Sequence, residues 1–154
     1  SYSVTGVQTC ALPICRLVEA GIPVMAHLGL TPQSVKATGG YGLQAKDPEN
    51  RKRLLEEARM LEQAGAFALV LEMVPSELAG EARRSLSIPV IGIGAGPDCD
   101  GQVLVTHDML GLFEEFKPRF VRRYAELAQL VRRAAGEFIG DVKAGRFPGP
   151  GESY

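Results

Sequence analysis

The run Phe67-Ala-Leu-Val-Leu-Glu-Met-Val-Pro75 constrains the fold more than any other stretch, because it is apolar except for one carboxylate. It is short, closed by Pro75 and without polar alternation, which reads as a strand buried on both faces of a parallel sheet. Glu72 is the exception. Near the C-terminal end of such a strand it stands at the mouth of the sheet, where α/β proteins collect catalytic groups. The structural alternative is a rim carboxylate paired with Lys or Arg, and position alone leaves both readings open.

The same pattern recurs along the chain. Leu17, Val18 and Ala20 have the spacing of a last helical turn stopped by Gly21. Residues 22–27, Ile-Pro-Val-Met-Ala-His, then read as a strand with Pro23 near its start. His27 thus occupies the same kind of strand exit as Glu72, as a satisfied structural histidine or as a catalytic one. Residues 28–46 are Gly-rich and long for a strand-to-helix connection, as substrate loops often are.

Asp47-Pro48-Glu49 supplies an N-cap, a first-turn proline and a first-turn acid for a helix running to Ala64. Its buried stripe is Leu54, Leu55, Ala58, Leu61 and Ala64, and Gly65 stops it. After the central strand, Pro75-Ser76-Glu77 opens a short helix to about Leu86. Residues 87–96 form a third strand with a Gly-rich exit. Gly92-Ile-Gly94-Ala-Gly96 lacks the G-x-G-x-x-G spacing of a nucleotide fingerprint, and tight packing inside a barrel explains it better.

Residues 102–108 read as a fourth strand ending in His107 and Asp108. That pair is either a second acid/base couple or, the favoured reading, a cap and turn for residues 109–113. A long helix is expected over residues 117–144, its apolar stripe broad enough to pack on a sheet and on a neighbouring subunit. The tail from Gly145 onward is Gly- and Pro-rich and is expected to be mobile. Strands alternating with helices, all strands buried, define an α/β chain with a parallel sheet.

Composition narrows the function classes. With 17 basic and 18 acidic residues, no charge excess favours a nucleic acid or an anionic membrane as partner. The apolar runs fall short of the roughly 18 residues that cross a bilayer. The 154 residues are too few for a whole (β/α)8 barrel, which takes about 250. Cys10, Cys15 and Cys99 have no zinc-ligand spacing, and their odd number suits a reducing compartment. Residues 1–15 match no signal peptide, have no period that carries on past Cys15, and are expected to be an unrelated leader. The organisation expected is that leader, a partial barrel domain over residues 16–148 and a flexible tail over 149–154.

Four blocks carry more than a pattern. They are Gly21-Ile-Pro-Val-Met-Ala-His-Leu-Gly-Leu-Thr-Pro-Gln-Ser34, Leu69-Val-Leu-Glu-Met-Val-Pro75, Ile88-Pro-Val-Ile-Gly-Ile-Gly-Ala-Gly96 and Asp100-Gly-Gln-Val-Leu-Val-Thr-His-Asp108. In this order and spacing, from about Arg16 to Pro148, they resemble the ketopantoate hydroxymethyltransferase family. The resemblance implies the C-terminal half of a (β/α)8 TIM barrel of the phosphoenolpyruvate/pyruvate type, covering strands five to eight. It implies transfer of a hydroxymethyl group from 5,10-methylenetetrahydrofolate to 3-methyl-2-oxobutanoate, giving 2-dehydropantoate for pantothenate synthesis. It also implies a cytoplasmic homo-oligomer using Mg²⁺ to stabilise an enolate.

On the family motif Glu72 matches the proton acceptor and His27 a substrate-contacting histidine. Partial desolvation at a strand end makes a carboxylate a stronger base, which agrees with the reading from the residues. The family's metal-binding acids and a substrate lysine belong to the half of the barrel before His27, so no metal ligand is carried over. Two other readings stand beside this one. One is an inactive fragment serving only as an assembly or binding module; the other is a carbon–carbon lyase or mutase on the same barrel.

Overall fold

The computed structural model describes residues 6–31 and 42–154. The chain forms two compact units, Ser1–Val103 and Leu104–Tyr154. In the first, helix α1 (Gly6–Glu19) precedes strand β1 (Met25–Gly29), helix α2 (Pro48–Gln63), strand β2 (Ala68–Glu72), helix α3 (Ser76–Ser85), strand β3 (Val90–Ile93) and strand β4 (Gly101–Gln102). The strands make one parallel sheet in the order β1-β2-β3-β4. Four parallel strands in sequence order, with helices between the first three, are the α/β architecture of a partial (β/α)8 barrel.

One face of the sheet carries the core. Ala26, Leu69, Leu71 and Val90 pack with Leu54, Ala58 and Leu61 of α2 and with Leu78, Ala79 and Ala82 of α3. Leu69, Leu71, Leu78 and Val90 are fully buried, each worth about 1.5–3 kcal/mol relative to exposure. These are the apolar positions that the strand and helix periods select. The caps are local. Asp47 Oδ1 accepts the Asn50 amide at 2.9 Å, and Pro48 begins α2. At its far end Gly65 donates to Glu62 O and Ala66 to Leu61 O, with Gly65 at φ +96°.

Helix α1 is longer than the sequence pattern suggests. Only its last turn was expected, yet it runs back to Gly6. Pro13 in its interior, which lacks an amide to continue the ladder, conceals the helix from a reading of periods. Its C-terminal stop at Gly21 is as expected: Gly21 donates to Val18 O and Ile22 to Leu17 O. Because those bonds engage Ile22, β1 begins at Met25 rather than at Ile22, and it runs on to Gly29, so His27 lies within the strand and not at its exit as expected.

The fourth strand needs the larger correction. It is only Gly101–Gln102, and residues 106–109 form a one-turn helix, α4 (Thr106–Met109). Asp100 anchors the short strand: its amide donates to Val90 O, while its carboxylate accepts from Val90 N and from Arg83 Nε.

In the second unit, α5 (Leu127–Lys143) begins ten residues later than the expected helix at 117. Pro118 breaks the pattern, and the amides of Tyr124, Leu127 and Ala128 bond instead to the carbonyls of Met109, Leu110 and Gly111. Phe120 and Tyr124 therefore lie outside the helix. Along α5, Leu130, Val131, Phe138, Ile139 and Val142 remain exposed, and Phe138 meets Phe147 edge to face at 5.2 Å.

Candidate active site

The register of β1 on β2 pairs His27 with Val70 and Gly29 with Glu72. Residues paired across parallel strands point to the same face. Met25, His27, Val70 and Glu72 therefore stand on the face opposite Ala26, Leu69 and Leu71, which are turned toward the helices. Two polar groups meet there. His27 Nε2 lies 3.2 Å from Glu72 Oε2, with side chains 33% and 22% exposed.

That distance is short enough for a hydrogen bond, but the alignment is poor. Nε2 is shielded from solvent and has no aligned hydrogen-bond partner among the described residues. The contact is thus a close approach whose directional capacity is unspent, and a buried nitrogen in that condition favours a third polar group. Chemically, a carboxylate beside an imidazole can take a proton from a carbon acid while the imidazole bonds an oxygen of the same molecule.

The backbone around the pair is closely tied. Glu72 O accepts the Leu30 amide at 2.9 Å. Gly29 has φ +92°, and a Cβ there would stand 2.1 Å from Glu72 O. Only glycine allows both the conformation and the approach. Met73, directly after Glu72, has φ +53°; its amide donates to Ile93 O at 2.9 Å and its carbonyl accepts Gln44 N at 2.7 Å. Sequence reasoning singled out none of Gly29, Gln44 and Met73 as part of the site. Gly29 alone left a signal, as a glycine two residues past the exit histidine.

The other candidates fall to structural roles. Cβ atoms added at Gly92 and Gly96 would stand 2.8 Å from Cys99 Sγ and 2.0 Å from Ser76 Oγ, so this Gly-rich exit serves close packing. His107 and Asp108 do not cap α4 with their side chains; their carbonyls accept Leu112 N and Gly111 N in the turn that ends it. A concavity of 260 Å³ is lined by residues including Gly29, Gln44, Asn50, Arg53 and Glu57, and burial pushes the Glu57 carboxyl up against the opposing pull of Arg53. Another, of 520 Å³, lies by Arg83, Ser87 and Asp100. Neither contains His27 or Glu72, so the pair stands on the sheet face outside both hollows.

Among the described residues no group of three His, Cys, Asp or Glu side chains could hold a metal ion. The His27–Glu72 pair alone does not fit Mg²⁺, which takes six ligands, mostly oxygens. No helix of the described residues is long and apolar enough to cross a membrane.

A parallel α/β sheet with Glu72 at the exit of β2 and His27 beside it in β1 fits part of a (β/α)8 barrel. The family model for ketopantoate hydroxymethyltransferase matches residues 3–150. The 3-methyl-2-oxobutanoate hydroxymethyltransferase of Caldicellulosiruptor bescii is 59% identical over 138 residues, 90% of this chain and 52% of that protein. Those of Chlorobaculum parvum and Syntrophotalea carbinolica are 55% and 53% identical over 149 residues, 97% of this chain and 54% and 56% of theirs. The chain belongs to the ketopantoate hydroxymethyltransferase family, as the four sequence blocks implied, and it spans about half the length of the curated relatives it matches.

Proposed function

We propose that this chain is part of a 3-methyl-2-oxobutanoate hydroxymethyltransferase in which Glu72 is the general base and His27 a substrate contact. Glu72 takes the proton from C3 of the keto acid, and the electron pair left behind delocalises into the C2 carbonyl as an enolate. That carbon then bonds to the one-carbon unit of 5,10-methylenetetrahydrofolate; the bonds of that unit to the folate nitrogens break, tetrahydrofolate leaves and water supplies the hydroxyl oxygen, giving 2-dehydropantoate. His27 Nε2 bonds an oxygen of the substrate or of the new hydroxymethyl group. The observation that carries this reading is the 3.2 Å approach of His27 Nε2 to Glu72 Oε2 on the face of the sheet opposite the core it forms with α2 and α3. The relatives' shared name supports the substrate. The family's Mg²⁺ has no fitting donor set among the described residues, so no step is routed through it. The setting in this reading is the cytoplasm and a homo-oligomer, with small molecules rather than nucleic acid or membrane as partners.

A second reading has an observation of its own. Leu130, Val131, Phe138, Ile139 and Val142 of α5 are exposed, which favours a chain that acts only in assembly or binding. Exchange of the C3 proton of 3-methyl-2-oxobutanoate in deuterated water, followed by NMR, separates the two. Exchange above the solvent background that is lost in Glu72→Gln supports the enzyme. Absence of exchange at every Mg²⁺ concentration makes the chain an inactive module.

A further inference from the structure

Met73 and Ala45 are the two non-glycine residues with left-handed backbone among the described residues, at φ +53° and +49°. An L side chain rarely adopts this region, and such strain persists only where surrounding bonds impose it. At Met73 they do. Its two peptide groups are held from both sides, by Ile93 O at the exit of β3 and by Gln44 N from the segment after β1, while Leu30 N holds the carbonyl of Glu72. Gln44 is itself the residue before strained Ala45, so one hydrogen bond links Met73 to the neighbour of the other unusual position.

The conformation also changes the side-chain order along the chain. Strict alternation would put Val74 on the same face as Val70 and Glu72. Instead Val74 is 1% exposed and lies in the core cluster with Leu69, Leu71 and Leu78. The parity breaks at Met73. Strand β2 therefore ends directly after Glu72, with its last side chain on the His27 face and the chain turned back into the helix-side core.

We infer that Met73 is a positioning residue: its left-handed backbone, pinned between Ile93 and Gln44, holds the Glu72 carboxylate against His27. The inference rests on the reading of Glu72 as the base, but its test does not depend on turnover. The chain has two histidines, so His27 can be followed in the ¹⁵N-labelled protein once His107→Gln has assigned the other. Imidazole ¹⁵N shifts report the proton on Nε2, and Glu72→Ala defines their position without the contact. Met73→Val introduces a β-branched residue that resists the left-handed region, and is expected to move the His27 signals most of the way to the Glu72→Ala position. Met73→Asn, which tolerates that region, and Met73→Ala are expected to leave them in place. Where catalysis is measurable, Met73→Val lowers kcat with KM retained.

Three outcomes overturn the inference. His27 stays at its wild-type position in Met73→Val although Glu72→Ala moves it; or the Asn and Ala variants shift it as far as Val, which assigns the effect to the thioether side chain; or Glu72→Ala leaves it unmoved. If Met73→Val does not fold, the Asn and Ala pair decides: wild-type His27 signals in both uphold the backbone role, and displaced signals in both end it.

Discussion

Gly29 and Glu72 face each other in the β1–β2 register so closely that a Cβ on Gly29 would stand 2.1 Å from the Glu72 carbonyl oxygen. Since that oxygen also accepts the Leu30 amide, the chain has no slack to move aside. Gly29→Ala combines a backbone clash with an unfavourable φ, and is expected to cost more than about 2 kcal/mol. Urea denaturation measures it. A loss within about 0.5 kcal/mol, the range of an ordinary surface substitution, would show that the exit of β1 is free to rearrange.

Glu72 and His27 make separable contributions in the proposed reaction. Glu72→Gln keeps the size of the side chain and removes the base, so C3 exchange is expected to slow by roughly 100-fold or more. Far-UV circular dichroism is expected to stay unchanged, since Glu72 lies outside the packed core. His27→Ala is expected to raise KM more than it lowers kcat. Unaltered steady-state kinetics would return His27 to a structural role.

Leu71 tests whether the half-barrel has a real core. It is fully buried between β2 and the helices. Leu71→Ala is expected to destabilise the chain by about 2–5 kcal/mol, the loss of transfer energy plus a cavity. An unchanged urea midpoint would mean that the sheet and its helices are not folded together in solution.

Asp100 predicts an acid limb of stability. The Val90 amide, and then the Arg83 guanidinium, hold its carboxyl below the ordinary carboxylate range. The folded state therefore binds this proton less tightly than the unfolded state. The stabilisation is present above the unfolded value of about 3.9 and is lost as pH falls through the lower folded value. Asp47, held down by the Asn50 amide and side chain, adds to the same limb with the same sign. Asp100→Asn is expected to flatten the urea midpoint across acidic pH, and an unaltered slope would remove Asp100 from it.

Much of this molecule is legible residue by residue. The apolar run before Glu72, the N-cap at Asp47 and the helix stops at Gly21 and Gly65 are local, because each is set by side chains within a few positions of the bonds they make. Helix α2 and the parallel character of the sheet derive from them. The four ordered blocks carried the family. Glu72 could be placed at a strand exit because an apolar strand closed by a polar residue has few other places to put it, whereas His27, expected at an exit, lies in the middle of β1, which runs on to Gly29.

What the amino-acid order does not contain is the bonding between distant segments. Pro13 hid the length of α1, while Pro118 and the bonds from residues 124–128 to 109–111 shortened α5. The contact of His27 with Glu72 depends on the β1–β2 register, a choice among pairings that no local pattern makes. The left-handed backbone of Met73 is further removed still, because nothing in a methionine favours it. The sequence alone therefore determined the alternation of strands and helices as far as β3, the family and the polar end of β2. Only the tertiary structure decided that His27 and Glu72 meet, because their separation is set by hydrogen bonds from neighbouring strands and loops.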